Sequence, residues 1–69
     1  MLPNKTYEIT FYGRNGELDS TLQFTDRQTA EEAFSTFDEA DSAELYSRIT
    51  LSEYDWETEK ETELGTMGF

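Results

Sequence analysis

From Tyr7 to Tyr12 apolar and polar residues alternate (Tyr-Glu-Ile-Thr-Phe-Tyr), the period-two pattern of a strand buried on one face. Arg14-Asn15-Gly16-Glu17 follows, and Asn-Gly suits the two positive φ values of a type I′ hairpin turn. Such a turn sets the register of the returning strand. It places Phe11 against Ser20, Ile9 against Leu22 and Tyr7 against Phe24 on one side. On the other side Tyr12 meets Asp19, Thr10 meets Thr21 and Glu8 meets Gln23. Most large apolar side chains of the hairpin then share a face.

The period changes after Phe24. Thr25 and Asp26 offer N-cap oxygens, with Gln28 three residues after Thr25 as in a capping box. Ala30, Ala33, Phe34 and Phe37 recur at i, i+3, i+4 and i+7, which predicts one amphipathic helix ending near Ala40. Glu31 and Glu32 suit the start of that helix, whereas Asp38 and Glu39 near its end oppose the helix dipole. Asp41-Ser42 is expected to break it.

Leu45 to Trp56 reads as a long strand with Ile49 and Leu51 inward. Its parity then switches: odd positions turn acidic from Glu53 onward, and Tyr54 and Trp56 carry the apolar weight on even positions. A β-bulge near Ser52-Glu53 would produce that switch. A turn centred near Glu59 and a short strand around Glu61 to Met67 complete the chain, with Gly65 and Gly68 suggesting a loosening tail and Phe69 packing back. The expected fold is α+β, β-β-α-β-β, an antiparallel sheet of order 2-1-3-4 with one helix packed on one face. At 69 residues it forms a single domain spanning 1–69, since so short a chain buries only roughly 60% of its unfolded surface.

Composition removes most chemistry. With no Cys there is no disulfide framework and no thiolate. Without His the chain lacks the usual base near neutral pH and the commonest metal ligand. No Ser or Thr has an evident activating base, so the chain reads as a non-enzyme with no cofactor. Asp38, Glu39, Asp41 and Glu44 do not match the spacing of a calcium-binding EF-hand loop, and no metal site is assigned. No apolar run approaches the roughly 20 residues of a membrane span, and no signal-peptide core follows Met1. The expectation is a cytoplasmic chain that does not engage a membrane.

Charge supplies the remaining clue. The chain holds 16 acids and 5 bases, a net charge of −11, which disfavours direct contact with nucleic acid. Residues 1–30 contribute only −1 of that total, and residues 31–69 the other −10. Glu53, Asp55, Glu57, Glu59, Glu61 and Glu63 occupy every second position. A turn at Glu59 would set Asp55 opposite Glu63 and Glu57 opposite Glu61, a two-row acidic comb. Like charges so placed destabilise a strand pair. The reverse face would carry Tyr54 near Leu64 and Trp56 near Thr62.

In size and charge the chain resembles the small acidic inhibitors of phages and mobile elements, the anti-CRISPR and anti-restriction DNA mimics. The resemblance rests on Glu53 to Glu63 with Glu31, Glu32, Asp38 and Glu39, shares no motif, and implies no particular effector or fold; Lys60 interrupts the acidic surface. It implies a protein that occupies the basic nucleic-acid-binding surface of a partner, with Tyr54 and Trp56 as apolar anchors at that interface. The alternative is a small protein-interaction or regulatory domain, acidic for solubility, that uses its aromatic surface or dimerises through a strand edge. Monomer and homodimer both fit the sequence.

Overall fold

A computed structural model describes residues 4–69, apart from the side chain of Glu39. The elements run β1 (Lys5–Gly13), β2 (Leu18–Phe24), α1 (Arg27–Ser35), α2 (Glu39–Leu45), β3 (Tyr46–Asp55) and β4 (Lys60–Gly68). The four strands form one antiparallel sheet in the order β2-β1-β3-β4, as the sequence predicts. The molecule is a thin plate with extents of 39 × 22 × 16 Å.

The β1–β2 pairs from Tyr7↔Phe24 to Phe11↔Ser20 are the ones predicted, but the turn differs. Gly16 has φ 84° and Asn15 does not share the left-handed region that a type I′ turn requires at both positions. The Gly16 N–H donates to the Gly13 carbonyl at 2.9 Å, and the Gly13 N–H donates to the Glu17 carbonyl at 2.8 Å. This is a three-residue connection closed by a left-handed glycine. It pairs Tyr12 with Leu18, not with Asp19, and the register shift that follows leaves Asp19 as the extra residue. Beyond it the alternation returns to the predicted phase.

Two short helices replace the one expected. Asp26 caps α1, its carboxylate accepting from the Thr29 N–H and hydroxyl at 2.9 Å each. The helix ends at Ser35, where the Ser35 and Thr36 hydroxyls donate back to the Glu32 and Ala33 carbonyls and compete with continuation. Asp38 then caps α2, accepting from the Ala40 N–H at 2.8 Å and the Asp41 N–H at 3.3 Å. Asp38 and Glu39 therefore begin a helix instead of ending one, and the dipole that seemed to oppose them favours them. Asp41 and Ser42 lie inside α2, with Ser42 buried. Tyr46 serves both as the C-cap of α2 and as the first residue of β3.

The core forms where the inward faces of β1 and β3 meet α1. Tyr7, Ile9, Phe11, Ile49, Leu51 and Ala30 are buried, and Ala33, Phe34, Phe37, Phe24, Tyr46, Leu64 and Met67 pack around them. Phe11 meets the Phe37 ring edge-on at 5.3 Å and the Tyr46 ring at 5.1 Å. Fully burying a side chain such as Ile9 or Ile49 contributes about 1.5–3 kcal/mol. The opposite face of the sheet carries a row of threonines through all four strands, Thr21, Thr10, Thr50 and Thr66, which are cross-strand partners. β-branched side chains suit such a pleated surface.

The expected bulge in β3 is absent. β1 and β3 pair without interruption from Lys5↔Asp55 to Tyr12↔Arg48, so β3 keeps its alternation through Asp55. The irregularity falls on β4: Leu51 faces Gly65 and Ser52 faces Glu63, which leaves Leu64 as the extra residue. That insertion lets Leu64 and Met67, three positions apart, both pack against the core. Gly65 gives room beneath α1, because a Cβ there would stand 3.1 Å from Cε2 of Phe34. The tail does not loosen: Gly65 and Gly68 lie within β4, and the Phe69 N–H donates to the Ser47 carbonyl at 3.1 Å.

Two outcomes follow. Gly65→Val drives a branched side chain into Phe34 and should cost about 1–3 kcal/mol in urea unfolding. The two Thr29 donors hold the Asp26 carboxyl below its usual range. Its contribution is therefore present above the unfolded chain's value of about 3.9 and is lost as pH falls through the depressed folded value. Asp26→Ala should lower the Tm near neutral pH, and the difference from the parent should vanish in strongly acidic buffer.

Candidate interaction surface

The β3–β4 pairing separates the six alternate acids that were expected to align. The turn occupies Trp56 to Glu59, and Asp55 faces Lys60. Glu59 adopts φ 56° and fills the left-handed position without a glycine. The closing pairs are Glu53↔Thr62, Tyr54↔Glu61 and Ser52↔Glu63, so Asp55 does not meet Glu63 and Glu57 does not meet Glu61. Glu53 and Asp55 share the core-side parity of β3, whereas Glu61 and Glu63 stand on the open face opposite Tyr54 and Ser52. The comb does not form, because the turn lies nearer the N-terminus than expected and Leu64 is the inserted residue.

Two of the six acids are committed to the fold. Glu53 lies between Tyr7 and Thr62 and forms an ion pair with Lys5 at 3.6 Å, its side chain only 17% exposed. Burial pushes the Tyr7 hydroxyl above its ordinary range, and the Glu53 carboxylate adds to that shift. Asp55 sits between Lys5 and Lys60 in the two registers, and its Oδ1 accepts from the Glu57 N–H at 2.9 Å. That bond shapes the turn in the way short acidic side chains do.

The helix acids are similarly occupied. Glu31 accepts from Arg27 at 2.8 Å, Glu32 accepts from Gln28 at 3.2 Å, and Asp38 is the α2 cap. The Glu39 side chain lies outside the described residues. An open groove beside α2, lined by Phe37, Asp38, Asp41, Leu45 and Tyr46, leaves Leu45 65% exposed.

What remains at the β3–β4 end is a smaller acidic surface. Glu57, Glu59, Glu61 and Glu63 are exposed, and none belongs to the ion pairs found among the described residues. Glu8, which is not among the acids that the sequence singles out, lies on the open face with Glu61 and Glu63, in the row Gln23, Glu8, Ser52, Glu63. Its parity with Thr6 and Thr10 was the available signal. Gln23 donates to Glu8 at 2.9 Å.

Tyr54 and Trp56 border this surface and lie on the face away from the core, contrary to the expected bulge. Their rings contact at 4.5 Å and 63°. The Trp56 indole N–H donates to Thr6 Oγ1 at 3.0 Å, and its main-chain N–H donates to the Asn4 carbonyl at 2.8 Å. The side chain is thereby held in place while 55% exposed. At the other end of the open face Arg48 stacks on Tyr12 at 4.2 Å. Among the described residues no group of three or more acidic side chains is arranged to hold a metal, and no helix is long and apolar enough to cross a membrane.

Comparison with protein-family models, curated proteins and solved structures finds no match for this chain. The division of the acids into structural and free groups leads to a direct comparison by urea unfolding. Glu53→Gln should cost about 0.5–1 kcal/mol by breaking a partly shielded ion pair. Glu61→Gln should stay within about 0.5 kcal/mol of the parent. Equal losses from the two substitutions would show that Glu53 has no special structural part.

Proposed function

We propose that this chain is a non-enzymatic acidic protein that binds the basic nucleic-acid-binding surface of a partner protein in place of a phosphate backbone. The observation that carries this reading is the set of exposed carboxylates at Glu57, Glu59, Glu61 and Glu63, outside the observed ion pairs and beside a held aromatic pair. Glu61 and Glu63 stand roughly 6.8 Å apart along one strand, a repeat set by backbone geometry. A basic channel emptied of nucleic acid meets there negative charge that none of the observed ion pairs neutralises. Trp56 supplies an apolar contact at the rim of the same surface, already fixed by its hydrogen bonds to Thr6 and Asn4. The inhibitory role follows from this mode of binding: a partner so occupied cannot hold DNA or RNA.

We narrow the proposed contact set to the acids that are not engaged elsewhere in the fold. Glu53, Asp55, Glu31, Glu32 and Asp38 are engaged within the fold, and the binding residues of this proposal are Glu57, Glu59, Glu61 and Glu63 with Tyr54 and Trp56.

Immobilised protein exposed to a cell lysate should retain nucleic-acid-binding proteins that are released both by salt and by added DNA. Replacing Glu57, Glu59, Glu61 and Glu63 together by Gln should reduce that binding roughly a hundredfold, at about 0.5–1 kcal/mol per exposed contact. The substituted protein should melt no lower than the parent, since none of the four side chains joins an observed ion pair. Undiminished capture by it, or capture that DNA cannot reverse, would remove the proposal in favour of docking through the aromatic pair alone. In that case Trp56→Ala abolishes binding and salt has little effect.

A further inference from the structure

We infer that two copies of this chain associate through the outer edge of β2, antiparallel and centred on Leu22. The sheet order leaves two edges, β2 and β4. β4 carries features that resist strand addition: Lys60, Glu61 and Glu63 along its length and the irregularity at Leu64. β2 from Ser20 to Phe24 has none of these. It holds no charge and no proline, and its one irregularity lies before Ser20.

The hydrogen-bond phase of the sheet shows what this edge presents. The Trp56 N–H bonds the Asn4 carbonyl, and the Gly13 N–H bonds the Glu17 carbonyl, both at 2.8 Å. Main-chain groups alternate sides along a strand, so even-numbered residues of β1 address β3 and odd-numbered ones address β2. Ser20, Leu22 and Phe24 are thus bonded inward to β1, and the main-chain groups of Thr21 and Gln23 point outward.

A two-fold pairing with Leu22 opposite Leu22 of the second copy makes Thr21 of each chain the hydrogen-bonded partner of Gln23 of the other. The Leu22 pair is then of the non-hydrogen-bonded kind, with Cα atoms about 4.5 Å apart and side chains in close contact. It covers a leucine that is 46% exposed in the single chain. Phe24 meets Ser20 of the second copy on the same face.

Charge points to the same edge. Residues 1–30 carry −1 of the net −11, so two acidic molecules meet here with the least local repulsion. The remaining repulsion is long-range and screened by salt, and association therefore strengthens as ionic strength rises. Binding to a basic partner has the opposite dependence, and this interface uses none of its carboxylates.

Sedimentation equilibrium of the full chain tests the inference. The dimer fraction should rise with protein concentration and between about 50 and about 500 mM NaCl. Thr21→Pro removes an outward donor without touching the β1–β2 ladder, a position where an edge strand tolerates proline. That variant and Leu22→Lys should both be folded by circular dichroism and monomeric at high salt. The variant with Gln at 57, 59, 61 and 63 should still dimerise, so loss of partner binding and loss of self-association are separable. A parent chain monomeric at both salt levels up to about 1 mM protein overturns the inference. So does a dimer that persists in either folded edge variant.

Discussion

The unbroken pairing of β1 with β3 decides the rest of this structure. It joins the two central strands from Lys5↔Asp55 to Tyr12↔Arg48, and it aligns Ile9 with Leu51 and Phe11 with Ile49 as the floor of the core. Because side chains alternate, this pairing also settles where every polar neighbour must stand. Glu53 follows Leu51 by two and is drawn to the core side, where Lys5 meets it. Tyr54 is sent to the open face together with Thr6 and Glu61. A single slipped residue in this pairing would exchange the two faces.

Both sheet margins adjust to the centre. The first hairpin absorbs its extra residue at Asp19, so that Leu22 and Phe24 keep the side of Ile9 and Tyr7. The last strand absorbs its extra residue at Leu64, which turns a leucine toward the core and leaves Glu61 and Glu63 outward. In each case a bulge is the device that lets a flanking strand reconcile its own apolar spacing with a fixed neighbour. The acidic surface at the end of β4 is in this sense a by-product of where Leu64 had to go.

Much of this was legible in the sequence. Alternation in Tyr7–Tyr12, with the turn at Asn15-Gly16, gave the correct pairs from Tyr7↔Phe24 to Phe11↔Ser20 even though the turn type was wrong, because Asp19 compensates for it. The sheet order followed from antiparallel neighbours alone. What misled was local composition. Tyr54 and Trp56 are large and aromatic, and a reading by hydrophobicity sends them inward, whereas here they cover one another and are anchored by Thr6 on the outer face. Asp38 looked unfavourable only while one helix was assumed; the hydroxyls of Ser35 and Thr36, which end α1, are indistinguishable in sequence from ordinary solvent-facing residues. The alternating acids from Glu53 to Glu63 have a regular sequence period, yet a turn of four residues and a bulge in β4 divide them between two faces.

The plate is only 16 Å across its shortest dimension. In 0.1 M salt the screening length is about 10 Å, so exposed charges on its two opposite faces are already more than one screening length apart and largely screened from each other. Salt water insulates one surface from the other even in a molecule this thin. A cation-rich body settling on the open face therefore answers to the carboxylates there and feels little of the charge on α1 and α2, so one small plate presents two separate electrostatic surfaces.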